Sequence, residues 1–185
     1  MFYIRIRTCV LNNFLLEYDV KNLPWQLNPI AWLVGRWRSE MDGKVRFPTI
    51  PTFTYGEQLD ITISERPEYG IPSLNYSSHA WGTDKELLHG ESGYIAVKHS
   101  GYLAMTLTMQ NGFVTNEEGR ISGNRIYFRM RNIGRLSWSR DLPVLDLRRT
   151  FELIDNTTLD QRVRMKTLTK NLQDHAYVRY RKVYP

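Results

Sequence analysis

Histidine offers the widest chemistry in this chain, and four are present: His79, His89, His99 and His175. The first three recur every ten residues, a spacing that does not converge ligands on one ion, so coincidence explains it better than a metal site. His175 stands apart. It sits in Leu172-Gln173-Asp174-His175-Ala176-Tyr177-Val178, where apolar and aromatic neighbours suit a neutral imidazole facing inward. One imidazole without a second protein ligand holds zinc poorly, but it suffices as an axial ligand of a heme iron. Other chemistry is missing: there is no nucleophile elbow, phosphate-binding glycine loop, dinucleotide fingerprint or HExxH pair. Glu117-Glu118 comes nearest to paired carboxylates, and beside Gly119 it reads as part of a turn. The lone Cys9 allows neither an internal disulfide nor a Cys/His zinc cluster, which fits a reducing compartment.

The task of positioning such an imidazole falls to strands. Ile61 and Ile63 alternate with Asp60 and Thr62; Met105, Leu107 and Met109 with Thr106 and Thr108; Val163 and Met165 with Arg162, Arg164 and Lys166. Turn signals fall at Asp42-Gly43, Asn111-Gly112, Glu118-Gly119, Ser122-Gly123 and Asp155-Asn156. Short strands at close spacing predict an all-β fold, an antiparallel sandwich or barrel. Threonines and serines sharing faces with apolar residues suit the lining of a closed barrel, which from about eight strands upward encloses room for a ligand. The pattern by itself does not separate the two architectures. One helical turn is predicted over residues 29–34, with Asn28 as N-cap and Pro29 at the first helical position. Residues 1–27 lack both alternation and turn spacing and read as an extension ahead of a domain at 28–185.

The 185 residues are 42% hydrophobic, 24% charged and 12% aromatic, globular values that exclude a disordered or low-complexity chain. One domain is expected, burying roughly 70% of the unfolded surface. No stretch approaches the roughly 18 apolar residues of a membrane span. Near the start, Arg5 and Arg7 precede Cys9-Val10-Leu11, which Asn12 and Asn13 interrupt before Glu17 and Asp19. That pattern fits neither a secretory nor a transit signal, so an intracellular, cytoplasmic setting is expected. The net charge of +6 is concentrated between Arg120 and Arg149, where eight arginines stand against Asp141 and Asp146. Interleaved with Tyr127, Phe128 and Trp138, this segment could meet nucleic acid. The favoured reading is plainer: Arg125, Tyr127, Arg129 and Arg131 alternate with Ile126, Phe128 and Met130 and form solvated strand faces. Contacts to cofactor carboxylates are a third use.

Five ordered motifs resemble one family. Ala31-Trp32-Leu33-Val34-Gly35-Arg36-Trp37-Arg38 is similar to the opening strand of the nitrobindin family, whose signature is GxWxGxG followed by a PTI segment. Phe47-Pro48-Thr49-Ile50 supplies the PTI, and Phe53-Thr54-Tyr55-Gly56-Glu57 the aromatic-x-YGE after it. Leu74-Asn75-Tyr76-Ser77-Ser78, Trp81 and Leu88-His89-Gly90-Glu91-Ser92-Gly93-Tyr94 resemble the central motif, and Val163-Arg164-Met165 and Leu172-Gln173-Asp174-His175 the last two landmarks. The likeness covers residues 28–185. It departs at Ser39 and Met41, which replace the second and third signature glycines, and at Asp174, which replaces a proline.

The resemblance implies a closed antiparallel β-barrel of about ten strands, like lipocalins and fatty-acid-binding proteins, a domain also found at the C-terminus of some THAP proteins. It implies heme b, with His175 as the axial iron ligand, Thr49 as a heme contact, and Leu88, His89 and Met165 lining the pocket. The implied activities are isomerisation of peroxynitrite to nitrate on ferric iron and nitric oxide binding, with no nucleic acid or membrane partner and a homodimer left open. A competing reading keeps the barrel as a carrier of an apolar, fatty-acid-like ligand without chemistry. If the arginines of the basic segment only solvate strands, reversing Arg129 and Arg131 to glutamate leaves hemin affinity unchanged in a hemin titration. A loss of affinity in a folded variant would place them at the cofactor's carboxylates.

Overall fold

The computed structural model describes residues 16–65, 70–98, 101–139 and 141–185. Cys9, His99 and Arg140 therefore lie outside the described residues. Ten strands close into an antiparallel barrel: β1 (Gly35–Phe47), β2 (Ile50–Ile63), β3 (Ser73–Trp81), β4 (Leu87–Val97), β5 (Tyr102–Met109), β6 (Phe113–Ser122), β7 (Arg125–Arg135), β8 (Val144–Asp155), β9 (Thr158–Thr167) and β10 (Gln173–Tyr184). Each strand pairs with its chain neighbours, and β10 pairs back onto β1. The barrel expected from the resemblance is the architecture observed. Because the strands alternate in direction, the β1–β2, β3–β4, β5–β6, β7–β8 and β9–β10 connections share one end, the mouth. The other end is the base.

The base is closed by the chain that leads into β1. Two 3₁₀ segments, Val20–Asn22 and Trp25–Leu33, precede it, and the second buries Leu27, Ile30 and Leu33 completely. These three lie three residues apart, the period of a 3₁₀ helix, so its apolar edge matches its own turn. The expected turn at 29–34 is thus corrected. The helix starts at Trp25, encloses Pro29, has Pro24 in the cap position and no side-chain cap from Asn28. Trp37 plugs the barrel above it, donating Nε1–H to the Leu33 carbonyl at 2.8 Å. The residues set apart as an extension reach this seal: Tyr18 is buried and hydrogen-bonds Asp60, which also accepts from Arg36 at 2.8 Å. Above the seal, Leu59, Ile61, Leu74, Ile95, Met105, Leu107, Phe128, Phe151 and Leu159 fill the lower barrel as a packed core.

Turn signals held where the chain does reverse. Gly112 and Gly123 sit at φ 87° and 59° in the β5–β6 and β6–β7 turns. Asp42-Gly43 and Glu118-Gly119 lie inside β1 and β6. At the first, β1 carries extra residues between Ser39, opposite Glu57, and Gly43, opposite Tyr55. The Ser39 hydroxyl ties that bulge by accepting from the Asp42 amide at 3.1 Å. Gly56 has a stricter role. A Cβ there would overlap the Glu40 carbonyl and the Trp81 indole, and that indole is covered in turn by Arg38, 4.9 Å from the ring centroid. Gly56→Ala should therefore cost about 1–3 kcal/mol by overpacking, read as a fall of several degrees in the thermal midpoint.

Candidate functional site

His175 reaches the interior because β10 is bulged at it. Asp174 pairs with Arg164 and Ala176 with Val163, so β10 advances two residues where β9 advances one. Strict alternation would send His175 outward with Tyr177; the extra residue turns it in. There its ring meets Phe47 edge to face, 5.4 Å between centroids at 87°. Its Nδ1 is sealed from solvent with no hydrogen-bond partner among the described residues. No described residue bonds Nε2 either. Burial holds the pKa below the ordinary value, and the nearby His89 charge adds to that. The ring is therefore neutral, with a lone pair available to a Lewis acid. Among the described residues no group of three His, Cys, Asp or Glu side chains is arranged to hold a metal ion. An ion bound by His175 would have to arrive with most of its ligands already in place, as iron does in a porphyrin.

The wall around it is apolar. Val45, Phe47, Phe113, Leu147 and Val163 are buried on the inward phase of their strands. Met165 shares that phase on β9, between Leu147 of β8 and Gln173 of β10. The remaining expected residues divide. His89 lies on β4 two residues from the buried Glu91, with Nε2 3.2 Å from Glu91 Oε1. Thr49 is exposed at the tip of the β1–β2 hairpin. Leu88 is the bulged residue of β4, since His89 faces Ala80 and Leu87 faces Trp81. It borders an open hollow of about 650 Å³ at the rim, with Lys44, Thr52, Phe53, Thr54 and Glu86. That hollow includes neither His89, Met165 nor His175. The structure thus brings His89 and His175 within electrostatic reach of each other and leaves Thr49 and Leu88 on the rim. His79 is exposed on β3.

Between the mouth and the packed base lies a polar layer that the sequence reading missed. Arg149 is 2% exposed, which corrects its placement among solvated strand faces. It donates to Glu91 through Nη1 (2.9 Å) and Nη2 (3.1 Å), and more loosely to Glu117 through Nε (3.3 Å) and Nη2 (3.4 Å). Glu117, expected in a turn, is 1% exposed in mid-β6. Phase was the signal for both: Arg149 lies between the inward Leu147 and Phe151, and Glu117 follows Phe113 and Thr115. Burial alone would raise the Glu91 carboxyl, but the Arg149 charge and the His89 hydrogen bond overcome it and hold it far below the usual range. Burial raises Glu117 and Glu57, with only partial relief from Arg149 and from Ser78 and Tyr180 respectively. Arg129 and Arg131 are exposed on outward strand faces, as is Arg148, and they pair with acids there: Arg129 and Arg148 with Asp146, and Arg131 with Glu118.

The family model of the THAP4-like, heme-binding β-barrel domain matches residues 26–182. The chain belongs to that family. It is 45% identical over 181 residues to the Caenorhabditis elegans protein C28H8.5, covering 91% of this chain and 60% of that one. It is 33% identical over 161 residues to Bos taurus "Peroxynitrite isomerase THAP4", covering 86% of this chain but only 27% of the relative. With Mycobacterium avium "Peroxynitrite isomerase 2" it shares 32% over 162 residues, 83% of this chain and 94% of the relative. The crystal structure of Rv2717c from M. tuberculosis superposes with a TM-score of 0.73 at 25% identity, over 87% of this chain and 99% of that one.

In this heme-binding barrel the hydrogen-bond count bears on one protonation. Tyr180 has a single hydroxyl proton but two acceptors, Glu57 Oε2 at 2.9 Å and Gln161 Oε1 at 3.1 Å. Either a protonated Glu57 or a Gln161 amide turned to donate through Nε2 supplies the missing donor, and burial favours the protonated acid by raising its pKa. A carboxyl raised on folding adds stability below its unfolded pKa and loses it as pH rises through the folded one. Glu57→Gln keeps the shape and removes that loss. Its stability relative to wild type should rise as pH climbs above the ordinary carboxylate range, measured as urea midpoints; a constant difference would show Glu57 ionised throughout.

Proposed function

We propose that the chain binds heme b through His175 Nε2 and isomerises peroxynitrite to nitrate at its ferric iron, with nitric oxide as a second ligand of the same position. The observation that carries this reading is the neutral, bulge-turned imidazole with no hydrogen-bond partner among the described residues, in a family defined by heme binding. The isomerase name of several relatives supplies the reaction. The residues present fit the group: an imidazole lone pair stands against an apolar wall of Phe47, Phe113, Leu147 and Val163, which suits a flat macrocycle. The departure at Ser39 and Met41 lies in the β1 bulge beside Glu57, several residues from Phe47 where β1 meets His175. It leaves the mouth wall as it is.

When bound, ferric heme supplies a Lewis-acid centre at which the O–O bond of an anionic peroxide can break and its fragments recombine as nitrate, with no external acid, base or reductant. The chain's share is positional. Burial keeps His175 unprotonated and free to bind metal. The apolar wall excludes water from the interior side, and Met165 inside with Leu88 and Thr49 on the rim would be the residues to border a bound heme. His89 faces the same space and is not needed to retain the cofactor.

Hemin added to the purified chain should bind one to one and give a histidine-ligated ferric spectrum. His175→Ala should lose that spectrum, with imidazole restoring it, while stability changes by about 1–3 kcal/mol. His89→Ala should keep it. Wild type showing only free-hemin absorbance would overturn the reading in favour of an apolar-ligand carrier. A wild-type spectrum in His175→Ala together with its loss in His89→Ala would reverse the ligand assignment.

A further inference from the structure

The polar layer beneath the mouth has a feature that cofactor retention does not require. Glu91 and His89 are two residues apart on β4, and both face inward. An imidazole in that position would ordinarily be free to turn over and exchange its two ring nitrogens. Here Nε2 is 3.2 Å from Glu91 Oε1, and that carboxylate cannot move to follow the ring. Arg149 grips both its oxygens at 2.9 and 3.1 Å, and the Tyr76 hydroxyl donates to Oε2 at 3.4 Å. Arg149 is itself braced by Glu117. Nδ1 of His89 has no partner among the described residues. In strand order, β4 and β10 lie four steps apart on one side of the ring and six on the other, nearly across from one another.

We propose that Glu91, clamped by Arg149, is a positioning residue: it fixes His89 with Nε2–H directed to the carboxylate and Nδ1 toward the mouth, where it would meet an anionic ligand. The arrangement rests on the mouth being the site of peroxynitrite isomerisation, and it assigns to the buried acid a role beyond neutralising Arg149. The titratable and charged groups facing the His89 ring are Glu91 on its own strand, Glu57 on β2, Arg149 on β8 and His175 on β10. Burial lowers the His89 pKa and the Arg149 charge adds to that, but the Glu91 hydrogen bond and charge outweigh both and leave a net rise. In the charged form both ring nitrogens donate, so Nδ1–H presents a cationic donor to an anion. An uncharged ligand such as nitric oxide gains less from it.

The test is the nitrogen-15 spectrum of the histidine rings in the full chain without hemin, followed through pH. Wild type should show His89 protonated at Nε2 throughout, with its charged form persisting above the ordinary pH of about 6.5. Glu91→Gln should lower that midpoint by about one unit or more and release the tautomer, while His175 stays neutral. Glu117→Gln, which touches only the far side of the clamp, should leave the His89 pattern in place. A wild-type His89 protonated at Nδ1 alone overturns the proposal, as does a Glu91→Gln spectrum identical to wild type. Should Glu91→Gln fail to fold, the wild-type tautomer decides. Because no hemin is present, failure of cofactor binding would not change this result, and the wrong tautomer would overturn the positioning role while leaving cofactor binding intact.

Discussion

A guanidinium sealed inside a small barrel constrains the structure around it. Arg149 is 2% exposed, and a charge so placed is tolerated only with counter-charges in good geometry on its donors. Those come from β4 and β6, strands that do not pair with β8. The clamp therefore spans the barrel interior rather than a ladder, and it ties distant strands to one register. A slip of one residue in β8 would carry Arg149 outside and strand two carboxylates within. The clamp also divides the interior, with packed apolar core toward the 3₁₀ seal on one side and a mouth lined by Phe47, Phe113, Leu147 and His175 on the other.

Two bulges lie at the mouth ends of β10 and β4. Others lie level with the polar layer, in β1 opposite Glu57 and in β7 opposite Glu117. A bulge at His175 re-aims one side chain without disturbing Val178 or Tyr180 below it, and one at Leu88 leaves His89 and Glu91 facing inward. Ser39 and Met41 belong to the same pattern. Where the family signature has glycine, the β1 bulge is secured by a serine hydroxyl on a backbone amide.

What could be read from sequence follows the same physics. Alternation located the strands because the core face and the water face differ in most of them, as Met105 and Leu107 against Thr106 and Thr108 show. Glycine proved ambiguous. Gly112 marks a reversal by its positive φ, but Gly119 sits in mid-strand because a Cβ would overlap the Tyr127 carbonyl on the neighbouring strand. A glycine in sequence does not reveal which constraint it answers. Charge misled more seriously, since Arg149 and Glu117 were assigned to water or a turn by residue type although their phase placed them inside. His175 was the converse case. Alternation counted back from Tyr180 and Val178 would have placed it outside, because a bulge leaves no periodic trace, and its apolar and aromatic neighbours and the ordered motifs singled it out instead.

The two mouth histidines show how much of this site is electrostatic division of labour. Burial acts on both in the same direction, toward the neutral ring. What separates them is a carboxylate: His89 has Glu91 at 3.2 Å, whereas His175 has Phe47 and, among the described residues, no bonded acid. One ring is drawn toward the cation and the other toward the free base, and the coupling between them reinforces the difference, because charge on His89 further disfavours a proton on His175. Metal ligation needs an unprotonated nitrogen, and an anion is best met by a cationic donor. Unlike environments around two identical side chains meet both needs at one pH, and the acid that makes them unlike is the one Arg149 holds in place.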